Sequence, residues 1–283
     1  MKIILVSFLL SITYFLLSFL VYFISYKKIK LPDLFDVKSA ILGLVSSFVL
    51  LIFFFLLLNI LSAKNIEEST LNIFLFFIIA IFPTYEYFIQ PIFLLYSNDL
   101  TRAKELEQKN KFLNGYKVFI SNNSFANAFA FGVIPSTKAI IISKDIVENL
   151  QEMEIAAILA HEAGHLRKNH IFKLYLISLV GLLFGYLTSF YFYPIFQKYP
   201  DYIHVLRGLH GGFFYALPIW LLTSYSQRFL EYEADKFSSK KTSKKLIISA
   251  LKKLDDLSNG KISSGGITHP SLDKRIKNIL KVK

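Results

Sequence analysis

The sequence predicts a mainly α, polytopic membrane protein with about five transmembrane helices and a small polar α+β domain on the cytoplasmic side. Three observations carry that prediction. Of 283 residues, 54% are hydrophobic and only 18% charged, against about 25% charged in an ordinary soluble domain. Five apolar runs approach the roughly 20 residues that cross a bilayer. The formal net charge of +12 is carried largely by lysines flanking those runs, where basic residues set membrane orientation. In a soluble chain such an excess would point to nucleic acid. No aromatic-basic motif accompanies it, so no nucleic-acid partner is expected. The chain has no Cys, which excludes disulfides, thiolate zinc sites, iron–sulfur clusters and cysteine nucleophiles. Any metal must be held by His and carboxylates.

The first run, Ile3 to Tyr26, carries no charge. It is too long for a signal-peptide core, lacks a small-residue cleavage site and has its basic flank, Lys27, Lys28 and Lys30, on the far side, so it is expected to be retained. The second runs from about Ser39 to Ser62. The third, Leu71 to Tyr96, contains Pro83, Glu86, Gln90 and Pro91 and is predicted to be kinked or partly interfacial. Glu86 there is either a site residue or the interfacial end of the helix. The fourth is Ile171 to Tyr193, with Lys173 placed to snorkel. The fifth, Leu209 to about Tyr225, is interrupted by Pro218. Basic loops alternate with poor ones, which puts the N-terminus outside and both polar blocks in the cytoplasm. The expected organisation is three spans in 1–98, half of a polar domain in 99–170, two spans in 171–227 and the other half in 228–283 of a multi-pass cell-membrane protein.

The first polar block reads helix, short strands, helix. Strands are expected near Lys117–Ile120, Asn127–Gly132 and Ala139–Ser143, with a turn at Pro135-Ser136. Phe129 and Phe131 are expected in the core. Late in an amphipathic helix beginning near Gln151 stands His161-Glu162-Ala163-Gly164-His165. Helical residues four apart lie roughly 40° apart on one face, so both imidazoles reach one zinc ion. Glu162 lies about 100° round, beside the metal, placed to take a proton from zinc-bound water and pass it to a leaving amine.

Zinc held by two His needs a third protein ligand. The run Arg228 to Asp235 lies two predicted crossings after His165, and an even number of crossings returns the chain to the same side. Glu231 and Asp235 are four apart and share a face; Glu233 points roughly the opposite way. One of the matched pair can bind zinc while the other anchors a histidine from behind. The lysine run Lys236–Lys245 suits a surface near anionic lipid.

These elements resemble the membrane zinc metallopeptidases of the HtpX and type I CaaX prenyl protease family. The resemblance is carried by His161–His165, Glu231-x-x-x-Asp235, Thr268-His269-Pro270 and the segment Asn127-Ala128-Phe129-Ala130-Phe131-Gly132. It covers about Ser121 to the end and implies a gluzincin-type zinc peptidase domain. It further implies one Zn²⁺ per chain with Glu231 as third ligand, Asp235 behind it and His269 stabilising the oxyanion. The short strand at Asn127 and Ala128 can pair with an extended substrate backbone. Arg275 is a candidate partner for Asp235 or a neighbouring carboxylate. His170, about 140° round from His165, reads as an interfacial or supporting group rather than a ligand, and His204 and His210 as surface residues near the opposite membrane face.

The function so implied is a membrane-embedded zinc endopeptidase acting on membrane or unfolded polypeptides, in contact with the lipid bilayer. Processing of prenylated peptides is the alternative within the family. An intramembrane protease with the same motif would set it in an apolar span, whereas Gln151, Glu152, Glu154, Arg167, Lys168 and Asn169 ring it here. A non-catalytic scaffold or transporter is the alternative of another class.

Overall fold

The computed structural model describes residues 83–95, 100–122 and 126–282, with a few positions between 73 and 81. The first two expected spans, and most of the third, lie outside the described residues. The chain is mainly helical with one small sheet. It divides into two compact units, residues 79–185 with 213–283, and a second whose described part is chiefly 186–212.

The larger unit begins with a π-helical turn, Tyr85–Ile89, leading into α1 (Gln90–Leu95). Pro91 has no amide to donate to the preceding turn, and the backbone there widens so that the Gln90 N–H reaches the Tyr85 carbonyl. This is the form taken by the irregularity expected between Pro83 and Pro91. Next come β1 (Leu100–Arg102), α2 (Lys104–Lys109), β2 (Lys117–Ser121), β3 (Ala128–Phe131) and β4 (Ala139–Ser143). The helices that follow are α3 (Lys144–Asn149), α4 (Glu152–Arg167), α5 (His170–Gln197), α6 (Ile203–His210), α7 (Leu217–Lys241), α8 (Lys244–Leu257), α9 (Lys261–Ser264) and α10 (Leu272–Leu280).

The sheet order is β1-β2-β4-β3. β2 runs parallel to β4, while β1 and β3 are antiparallel to their neighbours. Interior β4 reads Ala-Ile-Ile-Ile-Ser and is buried at every position, as a strand covered on both faces must be. β3 is left as an edge. One face of the sheet, through Val118, Ile140 and Ile142, packs into the core built by α4, Ile247 and Leu251 of α8, and Ile279 of α10. The other face carries Phe119, Phe131 and Ile141 under Leu94 and Leu95 of α1. Phe131 is buried but Phe129 is 40% exposed, a correction to the core placement of both. They share a face by strand alternation. The α1 leucines pack against the cluster containing Phe131, while Phe129 borders an open groove of about 460 Å³ with Glu86, Tyr87 and Gln90.

α4 starts with a capping box: the Gln151 side chain accepts from the third helical amide and Glu154 returns to the Gln151 amide. Glu154 also accepts from Ser249 and Lys253 of α8, each at 2.7 Å. From Ile155 to Leu166 α4 is buried nearly all round, the signature of an interior helix. Its main neighbour is α7. A Cβ on Gly164 would lie 3.2 Å from Ala234 Cα and 3.1 Å from Phe237 Cβ, so glycine permits the close crossing. The Ser238 hydroxyl donates to the Ala157 carbonyl at 2.6 Å across the same seam.

Pro218, expected to interrupt an apolar run, follows a π-helical stretch whose last residue, Ala216, is still helical (φ −66°, ψ −47°), so the interruption takes the form of a local widening of the helix before the proline. The segment from Leu209 passes through a π-helical stretch, Gly211–Ala216, and α7 then continues unbroken to Lys241. Among the described residues α5 is the one helix long and apolar enough to cross a membrane. In the smaller unit His210 is buried, hydrogen-bonded to Thr188 at 3.1 Å and set among Phe192 and Phe196. This corrects its reading as a surface residue: aromatic neighbours cover the ring and the hydroxyl satisfies its Nε2. His204 falls among side chains outside the described set.

Gly164→Val is expected to force α7 off α4 and to lower unfolding stability by about 1–3 kcal/mol through overpacking. Denaturant unfolding of the detergent-solubilised chain reads the change; an unaltered midpoint would show that the crossing has slack.

Candidate metal centre

α4 brings His161 and His165 to one face, and the crossing at Gly164 lays Glu231 of α7 over both. The two Nε2 atoms are 3.2 Å apart. Glu231 Oε2 is 3.4 Å from His161 Nε2, and Oε1 is 3.5 Å from His165 Nε2. One donor atom from each of the three residues lies within 4.8 Å of the others. Ligands 2.0–2.1 Å from a tetrahedral zinc ion stand roughly 3.3 Å apart. The donor set and its spacing therefore fit zinc: two imidazole nitrogens and one carboxylate, converging in a largely buried place.

Behind His161, Asp235 Oδ1 is 3.0 Å from Nδ1. That contact puts the imidazole proton on Nδ1 and turns the Nε2 lone pair to the centre. Asp235 is fully buried and is held by Arg275 of α10 through a two-pronged pair, Nη2 to Oδ1 at 2.6 Å and Nε to Oδ2 at 2.9 Å. Arg275 Nη1 also lies 3.4 Å from Glu231 Oε2. His269 stands at the rim in the loop before α10. Its side chain is 55% exposed, with Nδ1 3.3 Å from Glu231 Oε1. The loop is closed by the Gly266 amide donating to the His269 carbonyl at 2.8 Å.

Glu162 is buried and accepts a hydrogen bond from the Ala130 amide of β3. The Asn127 amide donates to Ser143 Oγ, and the Ser143 amide to the Asn127 carbonyl, so the Asn127 backbone is committed to β4. Strand alternation then turns the peptide groups of Ala128 and Ala130 toward the open edge. The Asn127 side chain is exposed. Ala130 had no signal of its own in the sequence; the alternation of the strand, once anchored at Asn127, picks it out.

His170 contacts His165, Nδ1 to Nδ1 at 3.0 Å, and Glu233 Oε2 lies 3.0 Å from its Nε2. An unbroken helix would have carried His170 well round from His165. Instead α4 ends at Arg167 and Asn169 takes the left-handed conformation, φ 53°, which folds His170 back. The Asn-after-Lys pair before an apolar run is the signal for that break.

The profile described as Peptidase family M48 matches residues 96–283. "Protease HtpX" of Legionella pneumophila subsp. pneumophila (strain Philadelphia 1) is 27% identical over 160 residues, 55% of this chain and 57% of that protein. "Protease HtpX homolog" of Methylacidiphilum infernorum (isolate V4) is 27% identical over 197 residues, 59% of this chain and 66% of that protein. The crystal structure of S. mikatae Ste24p superposes with a TM-score of 0.61 at 23% identity, covering 86% of this chain and 65% of that one; it shows the shared fold. The chain belongs to peptidase family M48. It spans little more than half the length of the Legionella relative.

Charges in this M48 centre are set by burial and by one another. Burial disfavours a charged His161, but hydrogen bonds to Asp235 and Glu231 outweigh it and push the imidazole up to about 10. Burial pushes His165 down to about 3 against the pull of Glu231. Glu231 is held well below the usual carboxylate range: burial opposes the charge, and Arg275, His161 and His269 overcome it. Burial, with the Glu231 charge adding, raises Glu162 to about 7, in the range where a carboxyl both takes up and releases a proton near neutral pH.

Two outcomes follow. Arg275→Met leaves Asp235 and Glu231 buried without their cation and is expected to cost about 3–5 kcal/mol of stability, read by thermal or denaturant unfolding; a wild-type midpoint would contradict it. Metal ligands must be unprotonated. Below about 10 the metal-free His161 carries a proton that a bound metal displaces. Zinc affinity is therefore expected to rise about tenfold per pH unit between pH 6 and pH 8. Titration calorimetry in buffers of different ionisation enthalpy should find close to one proton released. An affinity independent of pH would mean that His161 is already neutral.

Proposed function

We propose that this M48 chain is a membrane-embedded zinc endopeptidase that hydrolyses peptide bonds in membrane or unfolded polypeptides. The observation that carries the reading is the convergence of His161, His165 and Glu231 at zinc-ligand spacing, beside a buried Glu162 and an open strand edge. His161, His165 and Glu231 hold the metal, one Zn²⁺ per chain. Zinc, when bound, supplies a Lewis acid for the scissile carbonyl and acidifies a water molecule.

The chain's own residues do the rest. An extended substrate pairs with the open edge at Ala128, with Asn127 flanking it, and the main-chain bonds give little side-chain selectivity. Glu162 takes the proton of the attacking water and returns it to the leaving amine. His269, at the exposed rim, donates to the developing oxyanion. Asp235 and Arg275 keep the His161 ring turned to its work.

The membrane setting is part of the same proposal. α5 presents Leu176, Val180, Leu183 and Leu187 unburied, and the first half of α7 presents Leu221, Leu222 and Tyr225; lipid is the solvent that suits such faces. About five spans, with the polar halves 99–170 and 228–283 joined on the cytoplasmic side and the N-terminus outside, complete the arrangement. The names of the HtpX relatives support proteolysis of this kind.

The test is cleavage of an unfolded protein by the purified full chain in detergent, with and without a chelator, against a prenylated peptide. Glu162→Gln should keep zinc and lose ~10²-fold or more in rate. Glu231→Ala should lose zinc itself. Chelator-insensitive cleavage, or full activity in Glu162→Gln, would refute the assignment. Preference for the prenylated peptide would move the substrate to that class.

A further inference from the structure

Neither His170 nor Glu233 has a part in the chemistry above, yet both are tied to it. The His170 side chain is 1% exposed, whereas that of Glu233 is 49% exposed. The bend that brings His170 against His165 is pinned by Lys138, whose ammonium donates to the Asn169 side chain at 2.6 Å and to the Leu166 carbonyl at 3.3 Å.

Two imidazole nitrogens 3.0 Å apart cannot both carry protons or both be bare. The His170 side chain is almost wholly buried, which disfavours a cation there, and with both rings neutral two orderings are open. In the first, His165 carries its proton on Nδ1 and donates to His170 Nδ1. The His170 proton then sits on Nε2 and is donated to Glu233 Oε2. In the second, His170 donates from Nδ1, which puts the His165 proton on Nε2. That proton points at the metal centre, and a bare His170 Nε2 faces a carboxylate oxygen, lone pair against lone pair. An ionised carboxylate can only accept, so Glu233 excludes the second ordering.

We infer that Glu233, acting through His170, fixes the tautomer of His165 and keeps its Nε2 lone pair aimed at the metal. The inference rests on the zinc reading of His161, His165 and Glu231. Both metal-binding imidazoles are then backed by carboxylates of α7: Asp235 directly at His161, and Glu233 with one imidazole interposed at His165. His170 and Glu233 are positioning residues, since neither touches the reacting atoms. Lys173 Nζ, 3.7 Å from Glu233 Oε2, favours the ionised carboxylate that the ordering needs.

The test compares zinc dissociation constants of the full chain and three variants by competition with a chelating dye. His170→Phe keeps the ring volume and removes the acceptor, and should weaken zinc binding by about 10–100-fold. His170→Asn places Oδ1 near the position of the imidazole Nδ1 and should restore most of the loss. Glu233→Gln presents either a donor or an acceptor at a half-exposed position, so folding is spared, and should weaken binding about tenfold. Nitrogen NMR of the metal-free chain with labelled histidine, recorded in a His161→Phe background that removes the ring nitrogen 3.2 Å from His165 Nε2, adds a readout that packing alone would not move. His165 should carry its proton on Nδ1 with Glu233 in place and divide it between the two nitrogens when Glu233→Gln is added. Wild-type affinity in His170→Phe, equal loss in the Phe and Asn variants, or a His165 protonated on Nε2 with Glu233 in place would each overturn the relay. A wild-type chain that takes up no zinc would sink the metal reading instead, and the nitrogen spectrum would still decide the ordering.

Discussion

Burial of charge is the constraint on which the centre depends. Glu231, Asp235 and Arg275 are each at most 7% exposed as side chains, and Glu162 is buried beside them. Moving an ion from water to a protein interior costs several kcal/mol unless partners replace the lost solvation. Here each group serves as solvent for the next: Arg275 for Asp235 and Glu231, and the imidazoles for both carboxylates. None of these side chains can be placed without the others, which is why α4, α7 and α10 meet where they do. The meeting needs a close helix crossing, which the glycine at position 164 accommodates without displacing Ala234 or Phe237.

Much of this could be read from residue order. The helix expected from near Gln151 and the strand expected near Ala139–Ser143 both form, though α4 is buried nearly all round rather than amphipathic. The meeting of Glu231 with the histidines, expected from an even number of predicted crossings between them, is found; that expectation concerned topology and needed no knowledge of packing. The pairing of Arg275 with Asp235 was one candidate among neighbouring carboxylates. Only three dimensions could single it out, because the two residues are forty positions apart and in different helices.

What escaped the sequence did so for local reasons. β1 is three residues long, too short to show alternation, and exists because β2 offers it a partner. Phe129 and Phe131 carry the same pattern and differ only in what lies above them, which a strand cannot know about itself. Helical projection kept His170 out of the donor set, as found, but missed its contact with His165, because projection assumes a continuous helix and one left-handed residue at Asn169 breaks that assumption. Pro218 was legible as an irregularity, but not that the helix would widen into a π-helical stretch before it and then continue.

α7 has a mechanical consequence. Glu231 rides fourteen positions beyond Leu217 on a helix without a break, a lever arm of about 21 Å at 1.5 Å per residue. A rotation of about 3° about its first turn would swing the carboxylate by roughly 1 Å, as much as separates a productive geometry from an idle one. Anything that leans on the apolar beginning of this rod is thereby transmitted to the Glu231 carboxylate without any hinge between them.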